Sequence, residues 1–204
     1  NMTKPIDLFW SFRSPYSYLA TPEALLLPKD FDVEVKVRIV MPKALRTPDF
    51  FNKDSEQRVR YILLDWPRRA KLLGLPHAWP NPDPIVQDME TLKIAPRDEQ
   101  IYIFKLMRLG VEAQRKDKGL AFIYEVSHLI WGGTVGWNEG DHLALATQRA
   151  GLNLEEMEAE IAKSPDDYDA EIEANQEALA KAHHWGVPTF SYHNEPFFGQ
   201  DRID

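Results

Sequence analysis

The sequence predicts an α/β fold in which a small β-sheet, drawn from both ends of the chain, carries a large all-helical insertion domain. A strand, helix and strand pattern opens the chain, and a hairpin pattern lies near its end. Between them, apolar residues recur at helical spacing. We therefore expect a discontinuous α/β domain of residues 1–41 and 185–204, with residues 42–184 forming the helical domain.

The first strand and the turn after it give the sharpest signal. Residues 8–12 are apolar or β-prone with almost no polar break, which is typical of a strand buried on both faces. Ser14 can then cap a helix with its hydroxyl oxygen, and Pro15 suits the first helical position. Backbone amides and the positive end of the helix dipole meet there, so Ser14 lies where an anion is stabilised. A plain capping role is the alternative interpretation.

The next elements continue the α/β order. A helix with apolar positions around Pro22 precedes residues 33–39, in which Val or Ile alternates with Glu, Lys or Arg. This period of two predicts a second strand. We expect it to pair in parallel with the first strand through a right-handed crossover.

The insertion is predicted to contain six helices, separated by proline and glycine breaks. Their expected ranges are 54–73, 98–114, 120–131, 142–150, 154–163 and 168–183. A loop is expected at residues 76–84, which contain four prolines and Trp79.

The end of the chain predicts a hairpin that begins at a proline. Gly186, Val187 and Pro188 precede two short β-prone runs, which are separated by a turn at residues 193–195. A proline that opens a strand after a helix, with Gly-Val before it, resembles the cis-proline of thioredoxin-type folds. We therefore expect a cis bond between Val187 and Pro188.

Composition and charge exclude several classes of function. The 204 residues carry a net charge of −8 without a basic block, so we expect no nucleic-acid partner, and local cations must hold any acidic substrate. No signal-peptide pattern is present, and no apolar run approaches the roughly 20 residues of a membrane span. We predict a cytoplasmic protein with no membrane partner. Because the chain has no cysteine, disulfide chemistry is excluded and any reactive thiol must come from a cofactor.

Motifs at the two ends of the chain resemble those of a specific family. They are Ser-Pro-Tyr-Ser-Tyr-Leu-Ala at residues 14–20, Gly-Val-Pro-Thr-Phe at 186–190, and Glu-Pro-Phe-Phe-Gly-Gln-Asp-Arg-Ile-Asp at 195–204. Together they resemble the 2-hydroxychromene-2-carboxylate isomerases and the kappa-class glutathione transferases, in the DsbA-like branch of the thioredoxin superfamily. Redox relatives carry Cys-x-x-Cys where this chain has residues 14–17, with serine at both ends.

The resemblance implies a thioredoxin-like fold, glutathione as cofactor and Ser14 as the catalytic residue. Ser14 would donate a hydrogen bond to the sulfur of glutathione and help to keep it as thiolate. The backbone N–H and C=O of Val187, before the cis bond to Pro188, would pair with the cysteinyl part of glutathione. The alternative, that these residues only form a tight turn into the strand, is compatible with that role.

Four more residues are implied as ligand contacts. Gln200 and Asp201 match the family's site for the γ-glutamyl end, where an acid suits the ammonium and an amide suits the carboxylate. For Asp201, a surface ion pair with Arg202 is the alternative. Arg58 matches a basic residue three positions before a tyrosine, and it is either a carboxylate ligand or a solvated helix charge. Asn52 is the fourth candidate, although the approach to its helix departs from the family pattern.

Aromatic and histidine residues give less specific signals. Four tryptophans are candidates for the wall of an aromatic substrate site or for the core: Trp10, Trp66, Trp79 and Trp185. The adjacent His183 and His184 cannot share a helix face, so no metal site is predicted.

Three functional hypotheses follow. The resemblance implies a homodimeric, glutathione-dependent isomerase that acts on a small aromatic carboxylate by reversible thiolate addition. A kappa-like transferase or peroxidase that consumes glutathione would use the same Ser14 and Gly-Val-Pro residues, and a cysteine-free thioredoxin-like binding module is the third hypothesis. Relatives continue with a further helix after Asp201 and Arg202, so we expect that a tail is missing from a sequence that stops at Asp204.

Overall fold

A computed structural model describes residues 3–46, 53–182, 186–192 and 195–198. The strands are β1 (Lys4–Trp10), β2 (Val33–Ile39), β3 (Thr189–Tyr192) and β4 (Glu195–Phe198). The helices are α1 (Pro15–Leu19), α2 (Thr21–Asp30), α3 (Lys43–Arg46), α4 (Lys53–Leu72), α5 (Ile103–Arg115), α6 (Gly119–Trp131), α7 (His142–Arg149), α8 (Leu154–Lys163) and α9 (Pro165–Lys181). This is the predicted α/β thioredoxin-like fold with a helical insertion.

The described strands form one sheet in the order β2-β1-β3-β4. β1 and β2 are parallel, with Leu8 opposite Val37 and Trp10 opposite Ile39. β3 is antiparallel to β1, with Phe190 opposite Leu8, and β4 is antiparallel to β3. The predicted parallel pair and the predicted hairpin are therefore confirmed.

β1 starts and ends earlier than predicted. It ends at Trp10, so Ser11 and Phe12 leave the ladder although both are buried. The ring of Phe12 instead packs edge-on against Trp10, at 4.7 Å between ring centroids, and against Phe122 of α6, at 6.3 Å. The end of the apolar run is therefore buried against the helical layer and does not belong to the strand. The spacing of apolar residues alone does not distinguish these two causes of burial.

The single helix predicted after Ser14 is divided at Ala20 into α1 and α2. Pro22 lies in the first turn of α2 and has no N–H to donate to the carbonyl of Tyr18, four residues earlier. The hydroxyl of Thr21 donates to that carbonyl instead, at 2.8 Å. The break therefore leaves the carbonyl with a partner.

Helices α4 to α9 confirm the six predicted helices, with one substantial difference in bounds. α5 begins at Ile103 because the preceding residues form a 3-10 turn, Arg97–Glu99, followed by the buried Gln100. The side-chain amide of Gln100 bonds the backbone of Val86 and Ala95 at 2.8 to 3.0 Å. These bonds fix a loop where the sequence predicted a continuous helix.

The helical layer holds the carboxyl ends of β1 and β2 in place. Trp131 of α6 donates its indole N–H to the carbonyl of Phe12 at 3.0 Å. Gly110 lets α5 approach β2 closely, since a Cβ at this position would lie 2.8 Å from Cγ1 of Ile39.

The domain boundaries at residues 41 and 185 stay a prediction. Across the described ranges, none of the helices is both long enough and apolar enough to cross a lipid bilayer.

Candidate active site

Ser14 lies where β1 gives way to α1 and is the N-cap of that helix, as predicted. Its backbone is extended, with φ −114° and ψ 117°, and its Oγ accepts a hydrogen bond from the N–H of Ser17 at 3.1 Å. α1 has only five residues, so few peptide dipoles are aligned behind Ser14. The helix dipole therefore stabilises an anion less than the sequence predicted. The hydroxyl of Ser14 is the main hydrogen-bond donor at this point.

The hydroxyl proton of Ser14 points towards the second predicted motif. Ser14 Oγ donates to the backbone carbonyl of Val187 across a long 3.4 Å contact. A hydroxyl has one proton and two lone pairs, so Ser14 can keep accepting from Ser17 while its proton turns to another acceptor. Capping and ligand binding are therefore compatible roles for this residue.

Val187 and Pro188 reach Ser14 because β3 pairs with β1. The Val187–Pro188 peptide bond is cis, which confirms the prediction. Pro188 is buried and Val187 is half-buried. The β1 register with β3 begins only at Thr189, so Val187 lies just before the ladder, beside Ser14.

A cavity of about 360 Å³ opens at this junction. Its polar and charged lining residues are Ser11, Arg13, Ser14, Tyr16, Lys43, Arg46 and Arg58. Its apolar walls include Pro42, Val59, Ile62, Leu63 and Trp79. This size and this mixture of walls are typical of a site for a small organic ligand.

One part of the cavity lining is cationic and contains Lys43, Arg46 and Arg58. Burial and, secondly, the charges of Arg58 and Arg46 hold the pKa of Lys43 below its usual value. Burial also lowers the pKa of Arg46, whose Nε is buried with no hydrogen-bond partner in the part of the chain that the structure describes. Three neighbouring cations in one cavity favour binding of an anion.

Only Arg58 of these three cations was a sequence candidate. The structure places it on the cavity lining, with a solvent-exposed side chain. Lys43 and Arg46 were missed. The available signal was their spacing of three residues in the short helix α3, directly after β2, but nothing in the sequence showed that α3 faces Ser14.

Tyr16 also lines the cavity, and its hydroxyl donates to Asp65 of α4 at 2.5 Å. Burial and, secondly, this carboxylate raise the pKa of Tyr16 well above its usual value. Tyr16 therefore stays protonated at neutral pH, and its proton is already engaged. We assign it no part in proton transfer.

The four tryptophan candidates separate by burial. Trp10 and Trp66 are core residues, each at most 3% exposed, so the suggestion that they wall a substrate site was wrong for both. Trp79 is 36% exposed and lines the cavity. Trp185 lies outside the described residues, as do the candidates Asn52, Gln200 and Asp201.

The comparisons with known proteins agree with the fold. Residues 5–204 match the family model of the DsbA-like thioredoxin domain. The chain is 22% identical to the 2-hydroxychromene-2-carboxylate isomerase of Pseudomonas putida, over 97% of this chain and 90% of the relative. It is 23% identical to the isomerase of the same name from Sphingobium xenophagum, over 100% and 96%. Among solved structures it resembles a 2-hydroxychromene-2-carboxylate isomerase with a TM-score of 0.66 and 22% identity, covering 98% of this chain and 90% of that one.

Proposed function

Because this chain belongs to the DsbA-like thioredoxin domain family, we propose that it is a glutathione-dependent isomerase of the 2-hydroxychromene-2-carboxylate isomerase type. One observation carries the proposal. The hydroxyl of Ser14, oriented by Ser17 and next to Val187, lies in a cavity whose lining also contains the cations Lys43, Arg46 and Arg58. The low-identity relatives named for this reaction support the same choice.

The residues around Ser14 fit glutathione. The chain has no thiol, and Ser14 offers a rotatable O–H donor where a bound sulfur would lie. Val187 lies outside the β1–β3 register, so this ladder does not engage its peptide groups, and we propose that they pair with an extended peptide ligand. When bound, glutathione would supply a thiolate that adds reversibly to a conjugated carbon of the substrate and is regenerated.

The protein's own groups then have separate tasks. Ser14 would stabilise the thiolate by donating a hydrogen bond to it. Lys43, Arg46 and Arg58 would hold the carboxylate of the substrate, which a chain of net charge −8 otherwise repels. A reaction that needs reduced glutathione suits the cytoplasm, where thiols are kept reduced, and we propose that compartment.

The experiment that tests this proposal is a titration of the protein with glutathione by calorimetry, with Tm measured alongside. A ligand that binds only the native state stabilises it by about 2.7 kcal/mol at a free concentration 100 times its Kd. We therefore expect measurable heat and a Tm raised by several degrees. The absence of both would favour the non-enzymatic binding module.

Free thiol measured during turnover separates the isomerase from the transferase alternative. An isomerase regenerates glutathione, so the thiol concentration is expected to stay constant while a hydroxychromene carboxylate is converted. Loss of one thiol for each product molecule would contradict the isomerase proposal and favour the transferase.

We also propose that the chain forms a homodimer through α4. Tyr61, Leu64 and Leu72 lie on one face of this helix and are each more than half exposed, whereas Val59 and Ile62 line the cavity on another face. Two copies of α4 can pair in antiparallel fashion about a twofold axis, which sets Tyr61 of each copy against Leu64 of the other.

Sedimentation of the intact protein tests the dimer. We expect the mass of two chains at micromolar concentration, and the mass of one chain for Leu64→Glu, because a buried unpaired carboxylate opposes association. Leu26→Glu is the matched control, since Leu26 is 49% exposed on a different helix, α2, and should leave the dimer intact. A wild-type chain that sediments as a monomer would overturn the proposal.

A further inference from the structure

A partly buried ion pair joins the turn before α1 to the loop between α4 and α5. Arg13 directly precedes Ser14, and its Nε and Nη2 donate to Oδ1 and Oδ2 of Asp83 at 2.8 and 2.7 Å. The two side chains are only 13% and 20% exposed. This two-point geometry fixes the plane of the guanidinium relative to the carboxylate.

The same pair holds the ring of Trp79. Asp83 accepts a hydrogen bond from the indole N–H of Trp79 at 3.2 Å, and the Arg13 guanidinium lies over the indole, 4.7 Å from its centroid. Asp83 also accepts from the N–H of Ile85 at 2.9 Å, which anchors the carboxylate to the loop backbone. Trp79 is therefore held both at its polar edge and across one face.

Two buried tryptophans support Trp79 from behind. The ring centroid of Trp131 lies 5.1 Å away and that of Trp66 lies 6.4 Å away, both in edge-to-face orientation. Trp79 nevertheless keeps 36% of its surface exposed and lines the cavity that contains Ser14. A large ring that is held at its polar edge and by two neighbouring rings, and that is partly exposed on the cavity lining, offers a preformed stacking surface.

We propose that Trp79 selects substrates that carry a planar ring, and that Arg13 and Asp83 are positioning residues that hold it in place. This inference rests on the proposed function, which makes the cavity the substrate site. Arg13 is neutralised by Asp83, so it is not one of the cations available to a carboxylate. Its role is to orient the ring of Trp79.

The test compares two carboxylates of one carbon skeleton, 2-naphthoate and its saturated counterpart decahydro-2-naphthoate, by calorimetry on the full chain. We expect the planar acid to bind the wild-type protein about tenfold more tightly, because stacking adds to simple burial. Trp79→Leu should remove this preference by weakening naphthoate alone. Trp79→Phe should keep part of it, because a ring remains.

The positioning role is tested with Asp83→Asn, Arg13→Met and the double variant. Each single change should lower the preference several-fold, and the double variant should lower it no further, because both changes release the same ring. A general loss of structure would weaken both acids equally and leave the ratio unchanged. An unchanged ratio in Trp79→Leu, or additive losses in the double variant, would overturn the inference.

These outcomes are independent of turnover. If Trp79→Leu loses the preference but glutathione neither binds nor supports isomerisation, the proposed function fails and the ring-selecting site stands. If turnover is glutathione-dependent but Trp79→Leu does not change the ratio of the two affinities, the ring-selecting site fails and the proposed function stands.

Discussion

Ser14→Ala is expected to lower kcat/KM for the glutathione-dependent reaction about tenfold to a hundredfold at pH 7. A hydrogen bond to a charged group is worth about 1.5–3 kcal/mol, which corresponds to a rise of about one to two units in the pKa of the bound thiol. At neutral pH, less of the bound glutathione is then thiolate. The measurement is kcat/KM from pH 6 to 10, with the thiol pKa followed by thiolate absorbance.

The loss of rate should depend on pH in a defined direction. Below both thiol pKa values the rates of wild type and variant differ by a constant factor, because both thiolate fractions rise in parallel. Between the two pKa values the wild-type rate levels off while that of the variant continues to rise. Above both values the two rates converge, because the thiol ionises without help from Ser14.

The same substitution should cost about 1 kcal/mol of the free energy of unfolding, since Ser14 caps α1. Asn153→Ala is the matched control, because Asn153 caps α8 by accepting from the N–H of Glu156 at 3.0 Å and is not a cavity residue. It should lose similar stability at full activity. A Ser14→Ala protein that melts lower but keeps its rate and thiol pKa would show that Ser14 is only a helix cap.

Local signals predicted the parts of the site that depend on local geometry. The cap at Ser14, the alternating strand β2 and the cis bond before Pro188 all follow from a few neighbouring residues. The end of β1 was wrong because Phe12 is buried by α6, 110 residues further along the chain, and not by the sheet. A run of apolar residues reports burial, and it does not report which layer supplies it.

The groups that determine ligand chemistry needed the tertiary structure. Arg13 and Asp83 are 70 positions apart, and no spacing rule links them. Lys43 and Arg46 resemble any solvated pair on a short helix until α3 is placed against the cavity. The tryptophans show the same limit, since nothing in the proline-rich loop indicated that the ring of Trp79 lines the cavity.

Arg46→Gln is expected to raise KM for a carboxylate substrate about tenfold to a hundredfold while leaving kcat nearly unchanged. The guanidinium would hold the carboxylate equally in the ground state and in the transition state, so its loss weakens binding without slowing the chemistry. A charge-assisted hydrogen bond of about 1.5–3 kcal/mol sets the range. Steady-state kinetics and calorimetry with the substrate and with its neutral amide provide the measurement, and only the acid should be affected.

The stability of this variant gives an independent test, because burial disfavours the charged form of Arg46 and lowers its pKa. Its Nε is buried without a hydrogen-bond partner among the described residues, so the neutral, shorter glutamine should leave Tm at or above the wild-type value. Arg149→Gln is the matched control, since Arg149 lies on α7 with an exposed side chain beside Glu125, is not a cavity residue, and should leave KM and Tm nearly unchanged. Weaker carboxylate binding together with undiminished stability would show that Arg46 binds the ligand and does not stabilise the fold. A fall in Tm with equal weakening of acid and amide would instead show that Arg46 supports the fold and not the substrate.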